Sequence, residues 1–278
     1  MQQSDVPFFK IFIVGLGLIG GSIGLTLRGK MERIGYDLKE ETMKKAVECG
    51  AIDRAESIEK GLSETDVTLI AIPVQFIPEF IETHRFKEGS IVMDTGSTKQ
   101  CVIKAMKKLP ENLYFVGAHP LAGKEKSGIE NADKELFKGK LFILSNERRL
   151  TKEKEKIVLN IVKAMGSIPV ILDSETHDFI LGLTSHLPYI VSLSLFLYVM
   201  DKEKNIFAFA GSGLRDATRI ASGDPVMSEG MIKTNSDNVK KFISEYIELL
   251  KYVRDKIDTP DFERIIREVK KRRDEVWG

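Results

Sequence analysis

The hydrophobic pattern of the chain changes near residue 172. Before that point, short apolar runs alternate with amphipathic stretches, and these runs predict strands at residues 11–14, 33–37, 67–72, 90–94, 114–118, 141–144 and 168–172. A continuous apolar run such as 67–72 is typical of a strand whose sheet is covered on both faces. Strands that alternate with helices predict right-handed crossovers and a doubly wound α/β sheet.

After residue 173 the apolar positions recur every three to four residues, and no strand is expected there. Ser174 is expected to cap a long helix that Pro188 kinks. The sequence 223–225, Gly-Asp-Pro, predicts a helix stop, a new cap and a first-turn proline, and Thr259-Pro260 repeats the start signal. The boundaries predict two domains, residues 1–172 and an all-α domain at 173–278.

The stretch 187–200 is apolar around nearly its whole circumference. A helix of this kind must be buried on every side, and a helical domain of this size offers little cover. We therefore expect the helical domain to pack against a second copy of itself in a homodimer.

A glycine-rich turn follows the first strand. Gly15 permits a tight turn, Gly17 allows the backbone to approach phosphate, and Gly20 allows the next helix to pack on the strand. The free N–H groups at the start of that helix, including those of Leu18 and Ile19, would hold a pyrophosphate. The strand, the turn and the helix together predict a Rossmann-type dinucleotide-binding domain.

An acidic residue, Asp37, closes the second predicted strand, seventeen residues after Gly20. Its carboxylate can accept hydrogen bonds from the ribose diol and repels the extra phosphate of NADP. NAD is therefore the predicted cofactor, although Lys39 leaves NADP as an alternative. Pro73, in the turn after the strand at 67–72, is a further candidate contact of the cofactor.

The composition excludes several classes of protein. The 278 residues carry a formal net charge of +1, whereas a nucleic-acid-binding protein needs a focused basic surplus. Cys49 and Cys101 have no metal-ligand spacing, so we expect no metal and reduced thiols. No signal peptide is expected in the first ten residues, and the apolar run 187–200 is too short to span a bilayer, which predicts a cytoplasmic protein.

A dehydrogenase that oxidises an alcohol needs a base for the hydroxyl proton, and histidine suits this role near neutral pH. Among the four histidines, His84 reads as a surface residue and His177 as local or structural. His119 is expected at the carboxyl end of the parallel strand 114–118, the edge where doubly wound folds bind ligands. Ser97 ends the preceding strand on the same edge, where it could orient the imidazole, contact the nicotinamide or cap the next helix.

The remaining candidates are ambiguous from their patterns alone. His186 lies among apolar residues and could equally be a core histidine with satisfied hydrogen bonds. Arg215, Asp216 and Arg219 could form a solvated helix face with a pair between Asp216 and Arg219.

Several segments together resemble the prephenate/arogenate dehydrogenases, enzymes of tyrosine biosynthesis. The matching segments are GLGLIGGS at 15–22, DTGSTK at 94–99, GAHPLAGKEKSG at 117–128, SHLPY at 185–189 and RDATRIASGDP at 215–225. They occur in order over nearly the whole chain.

The resemblance implies a nicotinamide-dependent oxidative decarboxylation, with His119 as the base at the ring hydroxyl and Ser97 as its support. It further implies that His186 and Arg219 bind the substrate, and that Glu125 and Asp216 form an ionic network with the arginine. The helical domain of the family dimerises. Lys124 and Ser228 depart from some relatives, which leaves pocket size and feedback by tyrosine open.

Four hypotheses remain at this point. Prephenate dehydrogenase with NAD is the first, and an arogenate or dual-specificity enzyme differs from it by one substituent of the substrate. A β-hydroxyacid dehydrogenase would be expected to use a lysine base on a helix. A non-catalytic NAD-binding dimer could lack the base and the carboxylate-binding groups, whereas this chain has candidates for both.

Overall fold

The computed structural model describes residues 9–124, 126–202 and 205–278, and the chain divides into two compact units at residues 1–235 and 236–278. The first unit contains the nine strands of the described residues: β1 Lys10–Val14, β2 Glu32–Tyr36, β3 Arg54–Ala55, β4 Val67–Ile70, β5 Ile91–Asp94, β6 Tyr114–Val116, β7 Ala118–Pro120, β8 Leu141–Ser145 and β9 Ile168–Leu172.

The helices of the first unit lie between and after these strands. They are α1 Leu18–Thr26, α2 Glu40–Glu48, α3 Ile58–Glu64, α4 Ile77–Thr83, α5 Gln100–Met106, α6 Lys152–Ala164, α7 Ser174–Leu181, α8 Leu187–Met200, α9 Ser212–Thr218 and α10 Pro225–Thr234. The second unit consists of α11 Ser236–Lys256 and α12 Pro260–Trp277. No strand follows β9 in the described part of the chain, as the helical periods predict.

Six parallel strands form the main sheet in the order β3-β2-β1-β4-β5-β6. The order reverses between β1 and β4, so a crevice is expected at the carboxyl ends of these two strands. Their side chains are buried on both faces, which is why both strands read as continuous apolar runs. The predicted doubly wound sheet is confirmed.

A second, three-stranded sheet departs from the prediction. The run 114–118 is not one strand: β6 ends at Val116, and β7 pairs antiparallel with β8 while β9 lies parallel to β8. The change of sheet coincides with a side-chain contact: the Asp94 carboxylate accepts the Ala118 N–H at 2.8 Å, so this N–H is not available to the main sheet. His119 therefore lies inside β7, opposite Ile143, and not at the end of a parallel strand.

The helix that follows β9 begins one residue earlier than the predicted cap implies. Asp173 is the cap, and its carboxylate accepts the Thr176 N–H at 2.7 Å. The predicted capping role of Ser174 is wrong, since Ser174 is the first helical residue and donates its N–H to Glu147.

Pro188 is accommodated by a wider helical turn just before it. Residues Gly182–His186 form a π-helical turn between α7 and α8, where a proline without an N–H would otherwise leave a carbonyl unpaired. The predicted start of α10 is confirmed, with Asp224 as the cap and Pro225 in the first turn.

The apolar helix α8 is largely uncovered within this chain. Ser192 is its one buried residue, and Leu197 and Tyr198 are 50% and 64% exposed. The helical stretch Ser174–Met200 is long and apolar enough to cross a membrane by length and composition alone. The apolar side chains of α8 therefore need to be shielded from water by something other than the described part of this chain.

Candidate active site

The glycine turn between β1 and α1 has the geometry that its sequence predicts. Gly15 has a φ of +90°, and a Cβ there would lie 2.5 Å from the Ala71 carbonyl oxygen after β4. A Cβ on Gly20 would lie 1.9 Å from the Gly15 carbonyl oxygen. Gly17 has open space around it, so the backbone there is accessible to a ligand.

Asp37 follows β2 and is fastened to this turn. Its Oδ2 accepts the Leu16 N–H at 2.9 Å, and its Oδ1 accepts the Lys39 N–H at 3.0 Å. These bonds hold a half-buried carboxylate beside the glycine turn. Pro73 stands on the other side of the switch point, where it precedes a short 3₁₀ turn after β4. The glycine turn and Asp37 thus fit an adenosine ribose and a pyrophosphate.

A hydrogen-bonded chain leads away from His119. Its Nδ1 lies 2.9 Å from Nε2 of His177, and Nδ1 of His177 lies 2.8 Å from Oδ1 of Asp178. The Asp178 carboxylate also accepts the N–H groups of Lys99 at 2.6 Å and Gln100 at 2.9 Å. His119 is partly exposed, whereas His177 and Asp178 are fully buried.

This hydrogen-bonded chain from His119 to Asp178 was not predicted from the sequence. His177 was expected to be local or structural, but it is bonded to His119 across 58 positions. One signal was present, because Asp178 directly follows His177 in the first turn of a helix. A histidine and an acid at adjacent positions do not by themselves indicate a common partner elsewhere in the chain.

A buried ion pair between Asp94 and Lys99 lies next to this chain. Asp94 ends β5, and its carboxylate also accepts the N–H groups of Gly96 at 2.7 Å and Ala118 at 2.8 Å. The side chain of Lys99 is 1% exposed, and Asp94 is the carboxylate that pairs with its buried charge. Asp94 thereby sets the path of the backbone that carries His119.

Ser97 does not support the imidazole in the predicted way. Its Oγ is buried and has no hydrogen-bond partner among the described residues, while Nδ1 of His119 is occupied by His177. The predicted cap of the following helix is also wrong, because α5 begins at Gln100 without a side-chain cap. The remaining prediction, a contact with the nicotinamide, fits an unpartnered hydroxyl at the end of β5.

Burial keeps the histidines of the site neutral. It lowers the pKa of His119 well below its usual value, and repulsion of an imidazolium at this position by neighbouring His177, Lys99 and His186 acts in the same direction. Burial likewise lowers the pKa of His177, although the Asp178 carboxylate opposes this shift. These imidazoles are therefore uncharged near neutral pH and can accept protons.

His186 lies in the π-helical turn and is 1% exposed. Its Nδ1 lies 3.1 Å from the Asn235 amide nitrogen, which also donates to the Asp178 carbonyl oxygen at 2.7 Å. The amide is a donor, so Nδ1 accepts and the proton of the neutral ring is on Nε2. Burial lowers the pKa of His186 to about 4.

Asp216 and Arg219 are exposed on and after α9. Arg219 lines a surface cavity of about 730 Å³, whose other described lining residues come from α8, α9 and the turns beside them and do not include His119. Asp216 lies 3.7 Å from Arg215. Glu125 lies outside the described residues, so its predicted ionic network with Arg219 and Asp216 stays a prediction.

Comparison with known proteins places both halves of the chain in one group. Residues 23–170 match the family model "Prephenate dehydrogenase, nucleotide-binding domain", and residues 173–271 match "Prephenate dehydrogenase, dimerization domain". The chain is 34% identical to the prephenate dehydrogenase of Bacillus subtilis, over 95% of this chain and 74% of that protein.

Solved structures agree with the sequence comparisons. The prephenate dehydrogenase of Aquifex aeolicus, in complex with hydroxyphenyl propionate and NAD⁺, superposes with a TM-score of 0.90 at 30% identity and covers 98% of this chain and 100% of that one. An arogenate dehydrogenase from Synechocystis has a TM-score of 0.78 at 26% identity over 96% of this chain and 99% of that one.

Proposed function

The chain belongs to the prephenate dehydrogenase family, and on that premise we propose that it oxidises and decarboxylates prephenate to 4-hydroxyphenylpyruvate with NAD. The observation that carries the proposal is His119, a neutral imidazole in β7 whose Nδ1 is hydrogen-bonded to His177. This arrangement leaves one ring nitrogen for a substrate hydroxyl.

NAD is the cofactor of this family's nucleotide-binding domain, and the Aquifex relative carries NAD⁺. When bound, NAD accepts the hydride from C4 of the substrate ring. The glycine turn would hold its pyrophosphate, with Gly17 in contact and the first N–H groups of α1, at Leu18 and Ile19, directed at the phosphates. Asp37 would bind the adenosine ribose diol, and Pro73 would line the pocket.

The proposed chemistry needs one base and a well-aligned substrate. As hydride leaves C4 with its electron pair, the O–H bond breaks, its pair forms the carbonyl, and the proton passes to Nε2 of His119. The bond from C1 to the carboxylate then breaks as carbon dioxide leaves, and its electron pair passes through the ring to the C4 oxygen. That oxygen takes back a proton, which the protonated His119 can return, to give the phenol of the product. Aromaticity of the product makes this step effectively irreversible.

The substrate is a dianion, and two groups are proposed to bind it. A guanidinium can hold a carboxylate through two parallel hydrogen bonds, which suits Arg219. His186 presents an Nε2–H donor, because its Nδ1 accepts from Asn235. Glu125 and Asp216 are proposed to form the acidic part of the network around Arg219.

Arogenate is the alternative substrate. It carries an ammonium where prephenate has a keto oxygen, and the similarity to the Synechocystis arogenate dehydrogenase keeps this candidate open. Both substrates share the ring hydroxyl that His119 would deprotonate. The base and the cofactor site therefore serve either one.

A four-way assay tests the function. The purified protein is mixed with prephenate or arogenate, each with NAD or NADP, and reduced cofactor is followed by absorbance. We expect rapid reduction with prephenate and NAD. Reduction with arogenate alone would select the alternative substrate, and no reduction with any pair would leave a non-catalytic binding protein.

Asp37→Ser is expected to reduce the preference for NAD over NADP by about 10- to 100-fold, since one lost charge-assisted bond and a removed repulsion are together worth roughly 1.5–3 kcal/mol. Serine keeps a hydroxyl that can accept one of the two backbone N–H groups. The measurement is kcat/KM for each cofactor at saturating substrate. An unchanged ratio would place the ribose away from Asp37.

We further propose that the helical residues 173–271 form a homodimer in which the second copy covers the exposed face of α8. The matching dimerisation domain and the exposed Leu197 and Tyr198 support this. The buried polar His186 and the π-helical turn suit a protein partner better than lipid, which agrees with a cytoplasmic enzyme.

Sedimentation equilibrium should give twice the 31.3 kDa chain mass for the wild type. Tyr198→Lys, at a 64% exposed position, should shift the equilibrium towards monomer because it would bury an unpaired charge in the interface. A matched control is Val47→Lys, which adds the same charge at a 42% exposed position of α2, outside the helical domain. A wild-type monomer that binds neutral lipid vesicles would contradict the dimer.

A further inference from the structure

The hydrogen-bonded chain behind His119 can be followed to a fixed end. We propose that His177 and Asp178 are positioning residues that hold His119 in the tautomer with an unprotonated Nε2, the form that can take the substrate proton. This inference rests on the proposed function, because it assigns a task to residues behind the proposed base.

The Asp178 carboxylate fixes the direction of its hydrogen bond with His177. An ionised carboxylate accepts hydrogen bonds and donates none, and this one already accepts the N–H groups of Lys99 and Gln100. Those two bonds come from the backbone, so they cannot reverse. The contact of 2.8 Å between Asp178 and His177 therefore has Nδ1 of His177 as the donor.

Because Nδ1 of His177 donates to Asp178, the direction of the hydrogen bond between His177 and His119 is fixed as well. Burial lowers the pKa of this imidazole, so it is neutral and has a proton on one nitrogen only. With the proton on Nδ1, its Nε2 is an acceptor. The contact of 2.9 Å must then be donated by Nδ1 of His119, which leaves Nε2 of His119 with a lone pair.

The same contacts also face His119 after it has taken the substrate proton. When Nε2 takes the substrate proton, His119 becomes a cation whose Nδ1–H still faces the lone pair of His177, with the Asp178 carboxylate behind it. The other titratable groups near His119 are Lys99, which is paired with Asp94, and His186, which is neutral. Asp178 is thus the carboxylate that the hydrogen-bonded chain places behind the charged His119.

The backbone supports this arrangement. His177 and Asp178 lie in the first turn of α7, and Asp178 binds the backbone at the start of α5. The His177 ring is fully buried and bonded at both nitrogens, so it has a single orientation. A ring that is fixed in this way can transmit the position of a proton from one side to the other.

Two substitutions of His177 separate positioning from packing. In glutamine, the amide oxygen and nitrogen flank one carbon as the two imidazole nitrogens do, so His177→Gln can accept from His119 and donate to Asp178. His177→Phe fills the space but does neither. For His177→Phe we expect kcat to fall by about 10- to 100-fold, in line with other orienting partners of a histidine, with KM values for both substrates within about threefold.

His177→Gln should recover most of that loss in kcat. If His177→Phe kept the wild-type kcat, or if glutamine and phenylalanine lost activity equally, the positioning role would be wrong.

A readout without turnover distinguishes this inference from the function itself. The ¹⁵N spectrum of the imidazoles, with His119 assigned by its absence in His119→Asn, should show a protonated Nδ1 and an unprotonated Nε2 in the wild type. The same tautomer is expected in His177→Gln and a mixture in His177→Phe. A wild-type His119 protonated on Nε2 would overturn the proposal even if prephenate were turned over, and the predicted spectrum would stand even if it were not.

Discussion

His119→Asn should lower kcat with prephenate and NAD by about 10³-fold, because general-base catalysis by a positioned side chain contributes roughly 10²–10⁴-fold. The asparagine amide can still donate to Nε2 of His177, so the buried hydrogen bond at the back of the site is retained. Steady-state kinetics at saturating substrate measures the loss. The fold should be unaffected, as judged by thermal unfolding.

The activity is also expected to depend on pH, and it should fall on the acid side. The base works only when it is neutral, and burial holds the pKa of His119 below its usual value of 6.5. Wild-type kcat/KM should therefore stay constant through pH 6.5 and fall only at pH values well below it, as the imidazole is protonated. His119→Asn should lose this acid limb. A variant that kept the wild-type rate, or the same acid limb, would show that another group is the base.

Most of the fold could be predicted from signals that lie close together in the sequence. The glycine turn and the cap at Asp224 each depend on residues close together in the sequence, and their predicted geometry is present. The acid after β2 follows the turn at a recognisable spacing, and Asp37 does bind the backbone of that turn. The continuous apolar strands also identified the parallel sheet, because burial on both faces leaves a mark in each strand separately.

The parts that escaped prediction depend on distant contacts. β7 leaves the main sheet where Asp94, 24 residues away, binds the Ala118 N–H. The partner of His119 is 58 positions away and lies in the first turn of α7. Neither contact leaves a period or a motif in the chain, so the hydrogen bond between His119 and His177 could not be predicted from the sequence.

Alanine substitutions at two glycines of the same turn, Gly20 and Gly17, are expected to have the largest effects on NAD binding, for different reasons. Gly20→Ala should destabilise the protein by about 3 kcal/mol or more, because its Cβ would lie 1.9 Å from the backbone oxygen of Gly15 and the turn would have to shift. NAD binding should be lost with the turn. Denaturant unfolding and calorimetric titration with NAD measure the two effects.

Gly17→Ala is the matched comparison, since the added methyl group is the same and no atom beyond the two neighbouring residues lies within 4 Å of it. The free energy of unfolding should change by less than about 1 kcal/mol, the usual range for an uncrowded site. The Kd for NAD should nevertheless rise by about 10-fold or more, or ~1.4 kcal/mol, because the methyl group would occupy the space that the pyrophosphate needs. Gly20→Ala thus tests how tightly the turn is packed, and Gly17→Ala tests whether the turn binds the pyrophosphate. A stable Gly17→Ala protein that binds NAD with wild-type affinity would place the phosphates elsewhere.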